Sequence, residues 1–406
     1  MTFRDYRLAG ARSALRAAGV GRLTTPPRPW DAERLAVRDE NGEPRARAVR
    51  ECWVMRLFGR KDEEEEEVAE DTGDGLAEFW EWWQQARPGI DAMVEAGEAE
   101  RLSELIAPAV SAVHPGLVWE VAPGGKAQQA LVVTAAGDPE LRSLAHRWAR
   151  AAPESDALWE YHPSRQANPE AMELTLDVGG YEFALDKLLL GLRVPRGVPR
   201  MDIAAFHPVF VMLDEETRME ATLLSLDWLL GEDDVARWVG EITPATFQPI
   251  DSVEAVHLPS VIADLASEYA EEQWALLEGQ TAGGAPLVAT ARYPLRPVDY
   301  PLYDQHIQIT LPYAHADENG LPVDGSLASL REFEERLAAR LGRLHADGVL
   351  AAHLSAEGTR VIHVYADPTG EAAIHAKELI VSWEEGQPLV DVVSDPGWTS
   401  VAPFLS

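Results

Sequence analysis

The chain has 406 residues, of which 46% are apolar, and its formal net charge at pH 7 is −33. This length allows two or three globular domains, and the excess of acidic residues disfavours direct binding to the phosphate backbone of a nucleic acid. The single cysteine, Cys52, excludes an internal disulfide and a cysteine-based metal cluster, which favours a reducing cytoplasm. There is no signal peptide and no run of about 18 apolar residues, so we predict neither export nor a membrane span.

The first 54 residues differ in composition from the rest. They hold 11 Arg and 7 acidic residues, a net charge of +4, which leaves −37 for the remainder. We expect residues 1–54 to be either a disordered extension or an upstream misreading of a chain that starts at Met55. Residues 55–75 contain consecutive glutamates at 63–67. Because like charges repel and little apolar surface offsets the cost of ordering, we predict an acidic linker there.

Residues 76–255 predict an N-terminal α+β domain, and residues 256–272 a connecting helix. The segment 79–83 (Phe-Trp-Glu-Trp-Trp) opens an amphipathic helix whose aromatic side chains we expect to anchor the core. Asp138 is expected to cap a helix that begins at Pro139. Further predicted elements are a helix and four strands, at 99–113, 117–121, 130–134, 158–162 and 246–250.

Residues 273–406 predict a second domain in the order strand, helix, strand, strand, helix, strand. The predicted bounds are 305–311, 327–341, 349–355, 359–365, 371–379 and 389–393. Ser326 is expected to cap the first helix, and a three-residue loop at 356–358 to join the middle strands. This order is typical of the ferredoxin-like sandwich, so the chain as a whole is predicted to be α+β, with two α/β-sandwich domains. Both helices would cover one face of the sheet, and the other face must be covered or bind a partner.

Several aromatic and turn motifs resemble those of a known family. The motifs lie at 58–67, 79–83, 152–163, 179–183, 226–232 and 395–398, the last being Asp-Pro-Gly-Trp. The sequence is similar in these positions to bacterial proteins that carry a C-terminal domain of unknown function 695. The resemblance covers roughly residues 55–406. It implies a C-terminal fold similar to that of regulator of ribonuclease activity B, an inhibitor of ribonuclease E, and it implies no catalytic residue.

The sequence contains no phosphate-binding loop, dinucleotide fingerprint, nucleophile elbow or paired-histidine zinc helix, and we predict no cofactor. Three histidines, His306, His353 and His363, fall on neighbouring predicted strands. If they share one sheet face they could bind zinc and leave a position open for water. The alternative is that they form hydrogen bonds at an interdomain surface or face solvent, and a one-residue slip in register would separate them.

Other polar groups invite weaker interpretations. His315 with Asp317, and His345 with Asp347, could form histidine–carboxylate pairs, although aspartates in such loops normally bend the chain. Asp391 and Asp395 could act in acid–base chemistry. For Asp395 we expect instead a turn that places Trp398 in the core. The segment Gly124-Gly125-Lys126 is interpreted as a turn.

These observations predict a non-enzymatic cytoplasmic protein that binds or regulates a protein partner, without nucleic acid or membrane. A metal-dependent hydrolase of unknown substrate is one alternative, and an acidic immunity-type inhibitor of a basic toxin is another. The oligomeric state is not predicted.

Overall fold

The structure, a computed structural model, describes residues 36–38, 44–46, 68–343 and 348–406. These residues form two compact units. The first unit lies within Gly59–Arg193 and Met201–Ile262, and the second within Pro27–Phe58, Val194–Arg200 and Ala263–Ser406. Helices and strands occur together along the chain, which confirms the predicted α+β class. Every helix in the described ranges is too short or too polar to cross a lipid bilayer.

The helices in chain order are α1 (Val68–Ala96), α2 (Ala99–Val113), α3 (Arg142–Arg150), α4 (Glu215–Leu230), α5 (Glu232–Trp238), α6 (Leu258–Ser267), α7 (Asp324–Arg343) and α8 (Ala372–Ile380). The strands are β1 (Ala36–Arg38), β2 (Pro44–Ala46), β3 (Val118–Pro123), β4 (Gln129–Thr134), β5 (Trp159–His162), β6 (Thr175–Val178), β7 (Tyr181–Ala184), β8 (Leu189–Arg193), β9 (Met201–Phe206), β10 (Val239–Ala245), β11 (Val253–Glu254), β12 (Gln273–Gln280), β13 (Pro286–Tyr293), β14 (Gln305–Pro312), β15 (Gly348–Ala356), β16 (Thr359–Ala366) and β17 (Leu389–Ser394). Short 3-10 helices also occur, among them Pro208–Met212 and Thr399–Phe404.

The first part of the first unit is built on an aromatic core. Strands β3, β4 and β5 form a sheet in that order, with β3 antiparallel and β5 parallel to β4. Helices α1, α2 and α3 bury their apolar faces in the same cluster as the sheet, and its aromatic members include Phe79, Trp80, Trp83, Trp148 and Trp159. The predicted role of the aromatic segment 79–83 is therefore confirmed, because an aromatic side chain removes a large apolar area from water.

The remainder of the first unit holds a four-stranded sheet in the order β10-β9-β8-β11 and the separate hairpin β6-β7. Local chemistry sets the ends of α4. The Asp214 carboxylate accepts a hydrogen bond from the Thr217 amide (2.9 Å) at the start of this helix. Gly231 ends it with a φ of 83°, a conformation that costs glycine little.

Three predictions for the first unit are wrong in detail. Helix α1 begins at Val68, inside the predicted linker 55–75, because extending a helix that is already docked costs far less than starting one. Helix α3 begins at Arg142, since Asp138 instead accepts the Glu140 amide in the preceding turn. The strand predicted at 246–250 does not occur there. The nearest strand, β10, ends at Ala245, and Pro249 has no amide hydrogen to donate to a neighbouring strand.

The second unit contains an eight-stranded sheet in the order β17-β14-β16-β15-β13-β12-β1-β2, in which every pair is antiparallel. The six predicted elements of residues 305–393 all occur. Strands β12 and β13 extend the sheet and were not predicted. Strands β1 and β2 lie within residues 1–54. The other residues of that segment lie outside the described ones, so its predicted disorder or misreading stays a prediction.

The two faces of this sheet are covered differently. On one, the helix-covered face, Ile307, Ile309 and Ile362 lie in one apolar cluster with α7 and α8. On the other, Leu277, Ala289, Ala352 and Tyr365 lie in a cluster with Trp398 and with Val401 and Phe404 of the 3-10 helix that follows it, Thr399–Phe404. We call this second side the tail-covered face. The sequence analysis expected this face to be covered or to bind a partner. Residues 398–404 of the same chain cover it over the strands of this cluster.

Two local predictions in the second unit are also wrong. Helix α7 begins at Asp324, so Ser326 lies inside it and does not cap it. The Ser326 hydroxyl is buried, accepts the His315 amide (2.9 Å) and donates to Glu385. The loop between β15 and β16 has two residues, Glu357 and Gly358, both at positive φ, as in a tight hairpin turn.

Candidate functional site

Two of the three predicted zinc-binding histidines meet on the tail-covered face. Nε2 of His306 and Nδ1 of His363 lie 2.9 Å apart and share a hydrogen bond, and the rings are stacked with centroids 5.2 Å apart. Both side chains are buried. Burial lowers the pKa of His306 to about 4, and burial with the neighbouring His306 lowers that of His363 to about 3. Both imidazoles are therefore neutral at pH 7.

Tyr365 and Asp395 form a second polar pair on this face. The Tyr365 hydroxyl donates to Asp395 (2.6 Å), and its ring stacks on Trp398 at 3.8 Å between centroids. Asp395 also accepts the amides of Thr399 (2.8 Å) and Ser400 (2.9 Å). Burial alone would raise the pKa of Asp395, but these hydrogen bonds hold it below its ordinary value. The predicted turn is therefore present, and it places Trp398 in the core.

His353 lies on the opposite, helix-covered face. Because the hairpin turn has two residues, His353 pairs with Ile362, and His363 pairs with Ala352. Directly paired residues share a face and adjacent residues alternate, so the one-residue difference separates the two histidines. His353 Nδ1 lies 2.6 Å from Glu334, a residue of α7 that also binds Arg360 (2.6 Å). The three histidines thus do not converge, and a metal role for any of them stays a prediction.

The remaining predicted groups lie in turns or on the surface. The Asp317 carboxylate accepts the amides of Asn319 (2.9 Å) and Leu321 (2.8 Å), as expected of a turn residue. Asp391 is exposed on β17, and His345 and Asp347 lie outside the described residues. Over the ranges that the structure describes, no group of three or more His, Cys, Asp or Glu side chains is arranged to hold a metal ion.

A charged cluster in the first unit was missed by the sequence analysis. Arg165 lies in the loop after β5, and its guanidinium binds Glu120 of β3 (3.0 Å) and Asp227 of α4 (2.5 Å). Its amide donates to Glu232, at the start of α5, at 3.2 Å. Glu232 also accepts from the Thr134 hydroxyl and the Gly137 amide. We call these four ionisable residues, Glu120, Arg165, Asp227 and Glu232, the Arg165 cluster.

The Arg165 cluster holds three carboxyl groups around one cation. Burial raises the pKa of Asp227 to about 7 although Arg165 opposes the shift, and Glu232 adds to it. Burial alone would lower the pKa of Arg165, but Glu120 and Asp227 raise it above its ordinary value. The members are far apart in sequence, so no local motif could have predicted them. Their observable role is to join β3, the loop after β5 and the α4–α5 junction.

The glycine turn at 124–126 also has a partner that the sequence did not reveal. The amides of Gly125 (2.6 Å), Lys126 (3.0 Å) and Ala127 (3.1 Å) all donate to the carboxylate of Glu160. Burial alone would raise the pKa of Glu160, but a hydrogen bond with His162 and these amides lower it to about 2. The turn therefore holds an internal anion.

Exposed apolar side chains gather in the segment that follows β10. Phe247 is 75% exposed and Ile250 is 92% exposed, and Val253 and Val256 are also exposed. We call residues 246–256 the apolar loop. The sequence does show apolar residues at regular spacing, at 247, 250, 253 and 256. The first two lie in the segment 246–250 that was predicted to be a strand, so their exposure was not expected.

The apolar loop is held by a hydrogen bond within it and by contacts at its C-terminal end. The Gln248 side chain donates to Ser252 (3.1 Å), β11 pairs with β8, and the Ala255 amide donates to Leu188 (3.1 Å). A β-carbon placed on Gly191 would lie 2.8 Å from Pro249, so the loop sits directly against the β8 backbone. Its apolar side chains are exposed on a fixed support.

Comparison with known proteins identifies only the C-terminal part of the chain. Residues 282–406 match the model of a family of unknown function (DUF695), so the chain carries the predicted C-terminal domain of unknown function 695. The match begins at residue 282, and residues 55–281 of the broader predicted resemblance lie outside it. No curated protein and no solved structure matches the chain.

Proposed function

We propose that this protein is a binding protein rather than an enzyme, and that the apolar loop is its contact surface for a basic protein partner. The observation that carries this proposal is the display of Phe247 and Ile250 on an anchored loop. Exposed single apolar residues are common, but clusters of them often mark interaction sites, and a few well-placed large side chains supply most of the energy of an interface.

The charge around the apolar loop defines the chemistry of the partner. Residues 244–256 contain no lysine or arginine, and their two charged residues, Asp251 and Glu254, are both acidic and exposed. The whole chain carries a net charge of −33. A partner with apolar side chains flanked by lysine or arginine would bury Phe247 and Ile250 and be attracted at long range.

The fold supports the same proposal by analogy. We infer that β14–β17 with α7 and α8 form a ferredoxin-like sandwich, because their order β17-β14-β16-β15 and their helices on one face agree with that plan. The resemblance to the inhibitor regulator of ribonuclease activity B then favours a cytoplasmic regulator whose basic partner acts on nucleic acid. This step is an analogy between folds, and the apolar loop lies outside that sandwich.

The test is affinity capture with the full-length tagged chain at low salt, comparing three versions of it. The double variant Phe247→Ser, Ile250→Ser removes both anchors, and Val381→Ser removes an equally exposed apolar residue (84%) on the second unit. We expect a basic protein that binds the wild type and Val381→Ser equally, and the double variant at least about tenfold more weakly. Equal capture by all three would refute the assignment of the loop. Stoichiometric zinc in the purified protein, with no specific partner, would favour the hydrolase alternative.

A further inference from the structure

The outer edge of β12 is only partly paired in the described residues. All eight residues of β12 pair with β13, whereas on the other side Leu277 and Glu278 alone pair, with Val37 and Ala36 of β1. An unpaired strand edge presents amide hydrogens and carbonyl oxygens that can accept another strand. This edge is therefore a template for strand pairing that a short segment of the same chain occupies.

The side chains along β12 make the edge a good docking surface. Trp274 is 42% exposed and Leu276 is 44% exposed, although they lie on a strand with a paired neighbour. Glu272 fixes the indole through a hydrogen bond (3.0 Å) and binds Arg292 (2.8 Å), whose guanidinium lies 5.4 Å from the Trp274 ring centroid. An ordered tryptophan beside an exposed leucine is a surface that an added strand can cover.

The occupant is weakly held by pairing alone. Strands β1 and β2 have three residues each, and an isolated two-stranded hairpin is marginally stable in water. Charge favours the binding of this hairpin to the rest of the chain. Residues 1–54 carry +4 and include Arg38 and Arg45 in these strands, whereas the remainder carries −37. Short pairing with long-range attraction gives a contact that opens and recloses.

We infer that the outer edge of β12 is a strand-addition site, and that its occupant is β1, with β2 as the next strand out, held reversibly by the same chain. The recognised chemistry is an extended segment that carries basic residues, bound through backbone hydrogen bonds. This inference does not depend on the proposed function, since the apolar loop belongs to the other unit.

The test is amide hydrogen exchange of β12 in the full-length chain. Val37→Pro removes a backbone donor from β1, and Val20→Pro makes the same change at a position outside the described residues. We expect exchange at Leu277 and Glu278, the β12 residues that pair with β1, to rise at least about tenfold in Val37→Pro only, with exchange in 305–312 unchanged in both variants. A synthetic peptide of residues 34–48, added in excess to Val37→Pro, should restore the protection.

Two outcomes would overturn the inference. Unchanged exchange at Leu277 and Glu278 for Val37→Pro would mean that β1 does not protect this edge. Faster exchange that the peptide fails to reverse would mean that the edge does not accept a strand in trans. The unchanged reference strand, 305–312, separates both results from loss of the fold.

Discussion

The buried carboxyl group of Asp227 holds a proton more readily than an exposed aspartate does. Burial raises its pKa to about 7, the neighbouring Glu232 carboxylate adds to that shift, and Glu120 shares the Arg165 guanidinium with it. In the unfolded chain an aspartate has a pKa of about 3.9. The folded state thus binds a proton that the unfolded state releases, so this group makes the first unit less stable as pH rises from about 4 through about 7.

Replacing Asp227 with Asn should flatten this pH dependence. We expect the difference in unfolding free energy between about pH 5 and about pH 8 to shrink by about 1–3 kcal/mol in Asp227→Asn, because the amide does not ionise. Denaturant unfolding at the two pH values measures the difference. Asp251→Asn, at an exposed position, is the control and should leave it unchanged. An equal slope in wild type and Asp227→Asn would show that Asp227 ionises as it does in the unfolded chain.

The pair His306 and His363 makes the stability of the second unit depend on pH in the opposite direction, so that stability falls as pH falls. Their folded pKa values of about 4 and about 3 lie below the ordinary value of about 6.5, so the folded state favours the neutral rings. The stability from this preference is present above pH 6.5 and is lost as pH falls through about 4. Protonation of the ring that accepts the shared hydrogen bond would also place a proton on its acceptor nitrogen and so break that bond.

His363→Gln should reduce the loss of stability on acidification. We expect wild-type β14 and β16 to lose protection from hydrogen exchange between about pH 7 and about pH 4.5, and the variant to lose less, by about 1–3 kcal/mol. His257→Gln, an exposed histidine of the first unit, should behave as wild type. Imidazole resonances of His306 and His363 that titrate near pH 6.5 would contradict the assignment.

At the scale of elements, the last residues of the chain act as a cover for the sheet. The 3-10 helix Thr399–Phe404 lies on the tail-covered face, and Trp398 precedes it in the left-handed region with a φ of 54°. Its indole donates to the Tyr303 carbonyl (2.8 Å), and its ring stacks on Tyr365. One side chain therefore fastens this helix to strand β16 and to the loop that contains Tyr303.

Trp398→Ala should release this cover. We expect a loss of about 3–5 kcal/mol in unfolding free energy, because a large buried aromatic side chain leaves a cavity. Exchange should rise first in residues 395–406. Leu389→Ala, at an exposed position of β17, should cost less than about 0.5 kcal/mol. A loss in Trp398→Ala as small as in this control would show that the tail is held by other contacts.

Which elements could be predicted follows from how local their causes are. Strand β14 alternates apolar and polar residues, and helix α2 lies at the predicted residues 99–113, so both were found from sequence. Strand β12 was missed because Ala275, Leu276 and Leu277 are consecutive apolar residues that hide the period of two. The β15–β16 register depended on one residue of turn length, which sequence alone did not fix.

The sites were less predictable than the elements. Glu120, Arg165, Asp227 and Glu232 meet only because β3, the loop after β5 and α4 pack together, and no spacing in the sequence encodes that meeting. The histidine pair was half predicted: His306 and His363 share a face, and His353 does not. Exposure, which singles out Phe247 and Ile250, is a property of the folded chain.

For the whole molecule, the dominant quantity is the net charge of −33. Such an excess of like charge destabilises the compact state through self-repulsion, and dissolved salt screens that repulsion. The same salt weakens long-range attraction to a basic partner. Stability and binding should therefore respond to salt in opposite directions.

Thermal unfolding tests the first half of this expectation. Raising NaCl from about 20 mM to about 200 mM should raise the unfolding midpoint by about 2–5 °C, because the Debye length falls below the spacing of many surface charges. Sucrose at matched osmolality is the control for effects that do not depend on charge. A midpoint that falls with salt would mean that attractive ion pairs, such as those of Arg165, outweigh the general repulsion.

The Glu160 carboxylate, held by three successive amides, also has an evolutionary consequence. Backbone amides that point into one concavity form a receptor for anions, and here the chain fills the receptor with its own side chain. Loss of that one carboxylate would leave the three amides without their acceptor, while the Gly124 amide would still have the Gln128 carbonyl as its partner across the turn. A single substitution of Glu160 would therefore leave three neighbouring amide donors that a free anion could occupy.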